Sequence, residues 1–476
     1  MWKPYLNVLT DSANFGAAIS PHCPSPLEST NPRLLTNTVM SAENPASSRF
    51  EVRGERSLCS TCLQFLGELS ACCSTGNLRK SWADNDTGTR VVTSHGIAFK
   101  HHRGFDDLAA SAPSCRLCYV LHSDLAPLAA ELRCGWLALI LDDNPCQFRA
   151  GFNESLHRLP WGFYEMAAHP KHTFRFGRSV GQYAAPDHDG YLDGFAVAPR
   201  LTLEHVAQMY EHWIKKCATG LGWHYEGCGE RAVASLHDQG VLPTRVIDLG
   251  PAGSDETPRL YISRPGEKAA YVALNHCCGG AIPASIVQGN LEARLEALCV
   301  DELPRNFQDA IAVTQVLGFR YLWIDSLCIV QDLPTDWAAE AGRMAQLYTG
   351  ATLVLSALEA PSSDVGFLHL ETERVPRAEV NEEYAVQKLF TRVYEYLDEC
   401  PLNKRAWCMQ ERLLAPRVLH FGRQQMFWEC DSCFTTEAGD HWSGESTGHV
   451  AASFITLRKG LRMASSARPV WDRLID

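Results

Sequence analysis

The chain has 476 residues, more than one ordinary core holds and enough for two or three domains. Hydrophobic residues make up 46% and charged residues 21%, a globular balance, and a formal charge of −12 argues against nucleic acid as a partner. Apolar runs are short, the longest lying around Trp136 to Leu141, so no membrane span of roughly 20 apolar residues is expected.

Met1 to Ser20 lacks a basic segment followed by an apolar stretch, so it does not read as a secretory signal and a cytoplasmic location is expected. The 19 cysteines then read as thiols or metal ligands rather than a disulfide framework. Residues 1–50, rich in Ser, Pro, Asn and Thr, are expected to be a disordered leader.

Residues 51–150 form a Cys-rich region. Cys59-x-x-Cys62 and Cys115-x-x-Cys118 have the spacing of zinc knuckles, and two such pairs suit a tetrahedral structural zinc site. Buried thiols without a metal fit equally well, and Cys72, Cys73, His101 and His102 are alternative ligands. Residues 151–257 read as a connecting α+β region, with loops and short strands up to about 200 and a helix over Glu204 to Lys216. Cys217, His224 and Cys228 favour core packing over ligation.

From 258 to 435 the pattern alternates. Strands are expected at Arg259–Ser263, Ala270–Leu274, Tyr321–Ile324 and Thr352–Leu355. A helix opens at Pro304 and ends near Gly318, and another runs from a Thr335 cap to about Tyr348. A helix near Ala406 to Leu414 precedes two strands, Arg417–Phe421 and Gln425–Trp428, turning at Gly422. The fold class is therefore α/β, a largely parallel sheet flanked by helices, preceded by a Cys-rich α+β domain. Ligands in such sheets sit beyond the carboxyl ends of the strands, here Asn275 to Gly280 and Asp325 to Cys328.

Four blocks carry a family resemblance. They are Tyr271-Val-Ala-Leu-Asn-His-Cys-Cys-Gly-Gly280, Leu303 through Asp332, Asp336-Trp-Ala-Ala-Glu-Ala-Gly-Arg-Met with Leu347-Tyr348, and Pro401 through Leu414. In order and spacing, Tyr271 to Glu411 resembles the heterokaryon-incompatibility (HET) domain of fungal proteins. The resemblance implies a non-self recognition protein that promotes programmed cell death when unlike cells fuse, acting through a protein partner or a homo-oligomer. Asn275, His276 and Cys278 stand where that family usually has a Ser-Tyr pair and a Trp. Residues 436–476 look like a segment cut short, so an inactive copy is a third reading.

Glu340 is the first candidate site residue, because Trp337, Glu340, Met344 and Leu347 would share one face of a helix. A carboxylate on that face is either paired, to Arg343 or Arg320, or held at a raised pKa for catalysis. Its Trp-x-x-Glu spacing resembles the motif of the NAD-cleaving TIR domains, which implies an alternative in which Glu340 and Asp325 act on NAD as substrate. Asp325 either orients a ligand or caps the loop, and Cys328 is either a nucleophile or a small core residue. Trp407, Gln410 and Glu411, one turn apart, either line a pocket or lock their helix to the sheet. Asn275, Trp323 and Gln331 complete the motif positions, and Gly279 and Gly280 would permit close approach of a phosphate without forming a dinucleotide fingerprint.

Overall fold

The computed structural model describes residues 57–75, 90–93, 96–128, 136–141, 147–153, 157–158, 164–165, 168–178, 195, 197–198, 200–219, 240–254, 256–280, 282–368, 377–381, 384–388, 393–439, 441–443 and 458. The expected leader, Cys134, Cys146, His224, Cys228 and the end of the chain after 458 lie outside the described residues. So do the side chains of Cys72, Cys73, Trp407 and Gln410.

The first part contains α1 (Ser60–Thr75), β1 (Arg90–Thr93), β2 (Gly96–His102), α2 (Gly104–Ser111) and α3 (Arg116–Leu125). It continues with β3 (Trp136–Leu141), β4 (Gln147–Asn153), β5 (His157–Arg158), β6 (Tyr164–Glu165) and β7 (Ala168–Arg178). After α4 (Leu203–Thr219) come β8 (Arg245–Asp248), β9 (Arg259–Ile262), β10 (Tyr271–Asn275), α5 (Leu291–Glu296) and α6 (Arg305–Val316). Next are β11 (Tyr321–Trp323), α7 (Asp325–Cys328), α8 (Pro334–Ala341), α9 (Met344–Gly350) and β12 (Leu353–Ser356). The last described elements are β13 (Arg377–Glu379), β14 (Tyr384–Lys388), α10 (Val393–Glu399), α11 (Ala406–Leu414), β15 (Arg417–Phe421), β16 (Met426–Cys430), β17 (Cys433–Thr436) and β18 (His441–Ser443).

Two sheets result. The first runs β13-β14-β7-β4-β3-β2-β1-β6-β5 and is antiparallel except where β1 meets β6. Phe65 of α1 and Leu117 and Leu121 of α3 bury against Phe99, Phe148 and Phe174 of its strands. The second runs β18-β17-β16-β15-β12-β10-β11-β8-β9. Only its centre is parallel, β11, β10, β12 and β15, so the sheet is mixed where a largely parallel one was expected. Antiparallel hairpins close both flanks. The central strands Tyr271–Asn275 and Leu353–Ser356 are buried at every position, as a sheet covered on both faces requires.

Several expectations are corrected. The region 151–200 holds the eleven-residue strand β7 rather than only short ones. Strand β4 spans residue 150, β8 pairs with β11 from before residue 257, and β17 spans residue 435. Strands β13 and β14 leave the second sheet's part of the chain to complete the first. The helix expected from Thr335 to Tyr348 is two, α8 and α9, because the turn at Gly342 tightens: Arg343 N–H bonds the Glu340 carbonyl three residues back. Thr335 does not cap; Pro334 opens α8, its fixed φ suiting a first helical turn.

Candidate functional site at the carboxyl edge

The parallel strands follow each other in the chain as β10, β11, β12, β15 but lie in the order β11-β10-β12-β15. The connections therefore reverse direction between β10 and β12, and sheets of this kind open a crevice beyond the carboxyl ends at such a point. Asn275 ends β10 and Ser356 ends β12, and Ala357 N–H bonds the Asn275 carbonyl at 3.1 Å to bring the two exits together.

His276 follows β10 and is buried. Its ring meets Phe307 edge-on at 5.1 Å, and its Nε2 lies 4.0 Å from Asp325 Oδ1, without a hydrogen-bond partner among the described residues. Burial holds its imidazolium below the ordinary range against the pull of Asp325, so the ring is neutral. Asn275 is also buried, and its Oδ1 has no partner among the described residues.

Asp325 begins the one-turn helix after β11. Its Oδ1 accepts the Ser326 N–H at 2.7 Å, and its side chain remains 39% exposed. Across the crevice, Arg405 Nη1 donates to the His276 carbonyl at 2.7 Å and reaches within 4.0 Å of Cys278 Sγ. Glu411 of α11 is hydrogen-bonded to Tyr348 of α9, itself edge-on to Trp323 at 5.9 Å. Burial pushes the Glu411 carboxyl up to about 8, and the nearby Asp325 charge adds to this, while Tyr348 and Arg405 oppose it. The crevice thus presents a half-buried acid held above its ordinary range, the open Asp325 side chain, a buried imidazole and a guanidinium, a set suited to holding a polar ligand and moving a proton.

Other expected site residues lie nearby in different roles. Glu340 is buried, but Thr244 Oγ1 donates to it at 2.6 Å and Arg343 pairs with it at 3.5 Å. Arg320 is not its partner, since it grips Asp248 through two bonds of 2.7 Å. Trp337 packs half-buried against the core. Cys328 is fully buried and its thiol is pushed up to about 12 by desolvation, the opposite of an activated nucleophile. Gln331 donates to the Asp325 and Ile329 carbonyls and so fixes the turn. Gly279, at φ 73°, packs against the backbone of Ser362: a Cβ there would lie 2.1 Å from the Ser362 Cβ. That glycine serves chain packing rather than phosphate approach.

His276, Tyr348 and Arg405 were not candidates from sequence. His276 lies in the strand-end segment Asn275–Gly280, but only the register of β10, β11 and β12 brings that segment beside Arg405, 129 positions away, and no local pattern marks Tyr348 or Arg405.

The cysteine pairs do converge. The sulfurs of Cys59, Cys62, Cys115 and Cys118 all lie within 4.8 Å of one another. Cys59–Cys118 is 3.8 Å, and Cys62–Cys118 and Cys62–Cys115 are 3.5 Å, close to the roughly 3.8 Å edge of a tetrahedron with zinc–sulfur bonds of about 2.3 Å. Proton sharing, first with Cys115, holds the Cys62 thiol well above its ordinary range, and bonds from Cys118 and Cys62 hold Cys115 below it. A divalent cation fits this donor set because it stabilises all four as thiolates.

No curated protein and no solved structure matches the chain. Residues 271–411, from the first residue of β10 to Glu411 of the crevice, match the family model described as Heterokaryon incompatibility protein (HET). The segment that builds the switch-point crevice is the segment the family shares, and the chain is a HET domain-containing protein.

Proposed function

We propose that this chain acts in fungal non-self recognition, its HET domain promoting programmed cell death through a protein partner, with the switch-point crevice as the working site. The observation that carries the reading is the meeting of His276, Asp325, Arg405 and Glu411 inside the matched segment. In this reading the Cys-rich part is a zinc-held scaffold, with Cys59, Cys62, Cys115 and Cys118 as ligands. Its metal is structural, since four thiolates leave no open position for substrate.

A second reading is an enzyme that breaks the nicotinamide–ribose bond of NAD. The raised carboxyl of Glu411 beside Asp325 favours it, because an acid poised near neutrality can exchange a proton while a second carboxylate stabilises positive charge. Glu340, the carboxylate first expected in that role, is held by Thr244 and Arg343, which favours a structural task for it.

The test expresses the intact chain, and its E411Q, D325N and E340A variants, in fungal cells while viability and cellular NAD are followed. Death with NAD unchanged, weakened by E411Q, supports partner signalling through the crevice. NAD loss abolished by D325N or E411Q supports the enzyme. Full viability of cells expressing the intact chain would sink the cell-death reading.

A further inference from the structure

We propose that the N-terminal cluster holds two zinc ions sharing a thiolate: one among Cys59, Cys62, Cys115 and Cys118, and a second on His101, His102 and Cys118. The inference rests on the reading of the four cysteines as a zinc site and extends it to the two histidines of β2.

Adjacent residues of a regular strand point to opposite faces. His101 and His102 do not: His101 Nε2 lies 3.0 Å from Cys62 Sγ, and His102 Nε2 lies 3.1 Å from Cys118 Sγ. Their rings meet edge-on at 4.4 Å. The cause is in the backbone. The pairing of β2 with β3 shifts register between Lys100 and His102, and such a bulge re-aims side chains locally. It turns both imidazoles onto one sulfur cluster, and the Nε2 atoms of His101 and His102 and the sulfur of Cys118 all fall within 4.8 Å of one another.

Four thiolates saturate one tetrahedral zinc, so a single ion leaves both imidazoles without a bond to metal. It also leaves a net charge of about −2 in a site where Cys62, Cys115, Cys118 and His101 are each at most 4% exposed, and uncompensated buried charge is costly. A second Zn²⁺ on two neutral imidazoles and a shared thiolate brings the sum to zero. On loading, two Zn²⁺ enter and the four thiols release their protons to solvent; no electron moves.

The test is zinc stoichiometry of the full-length protein by elemental analysis after exhaustive dialysis, with zinc-edge X-ray absorption on the same sample. Two zinc ions per chain and a mixed sulfur–nitrogen shell are expected. His102→Ala, at a half-buried position, should lower the ratio to one while the far-ultraviolet circular dichroism is kept; His101→Ala is the second variant. One zinc per chain with a sulfur-only shell overturns the second site and leaves the four-thiolate reading standing. No bound zinc overturns both. Two ions that persist in the double variant, with the shell unchanged, also overturn the proposal.

Discussion

At the scale of single residues, the crevice is defined by groups whose protons are displaced by burial. Glu411 has a folded value of about 8, against roughly 4.3 for an unfolded glutamate. The folded chain therefore binds this proton more tightly. Stability is full below the unfolded value, falls as pH rises from there through 8, and is level above. Glu411→Gln keeps the shape and never ionises. Its thermal midpoint should gain on that of the unsubstituted chain steadily between pH 5 and pH 8, about 1.4 kcal/mol for each unit of displacement. A difference that stays constant with pH would show that the carboxyl is not held neutral. Gly279 gives a second residue-level test. Its φ of 73° and the 2.1 Å approach of an added Cβ to Ser362 predict that Gly279→Ala destabilises by about 2 kcal/mol or more, read as a lower urea midpoint with unchanged slope. A midpoint within error of the parent would mean that the Cys277–Gly280 loop is free to move off its neighbour.

At the scale of elements, the break between α8 and α9 separates Glu340 from the face it was expected to share with Met344 and Leu347. The break does not depend on glycine's freedom. Gly342 sits at φ −66°, and a Cβ there would only touch the Ala338 carbonyl at 3.5 Å and the Ala339 carbonyl at 3.6 Å. Gly342→Ala should therefore stabilise by about 0.5–1 kcal/mol through the unfolded chain, raising the midpoint by about 1–2 °C. A loss of stability would assign the break to glycine itself. The same pair of helices shows what sequence could tell. Buried strands announced themselves, Tyr271–Asn275, Tyr321–Trp323 and Leu353–Ser356 being short, mostly apolar runs, and the Phe307, Ala310, Ile311 and Thr314 face fixed α6. The cysteine pairs pointed to their own convergence through spacing. The helix break was hidden because apolar spacing continues across it, while β13 and β14, with the sequences Arg-Ala-Glu and Tyr-Ala-Val-Gln-Lys, carry no signal for the distant strand they join. Strand propensity is read only against the partner, and that partner, β7, lies about 200 residues earlier in the chain.

At the scale of the whole molecule, that borrowed hairpin ties the matched HET segment to the Cys-rich part. β14 pairs with β7 from Tyr384 against Arg178 to Lys388 against Phe174. Lys388 forms an ion pair with Asp124 of α3, the helix whose start lies between Cys115 and Cys118. Arg377 Nη1 donates to the Val197 carbonyl at 3.4 Å, and the Gln387 amide oxygen accepts the Val197 N–H. One residue further along, the connection is held from the end of β17: Glu437 accepts the Ala198 N–H at 3.1 Å and pairs with His205 at 2.7 Å. A chain path thus runs from the cysteine cluster through α3 and β14 into the segment that ends at the crevice. A ligand that binds only the folded state stabilises everything that unfolds with its site. Removing zinc with a strong chelator should therefore lower the main calorimetric transition of the full chain, and crevice signals such as Glu411 ionisation should shift with it. If the two parts unfold separately, chelation instead produces an early transition of the Cys-rich part and leaves the main one in place. That outcome would break the link between cluster and crevice.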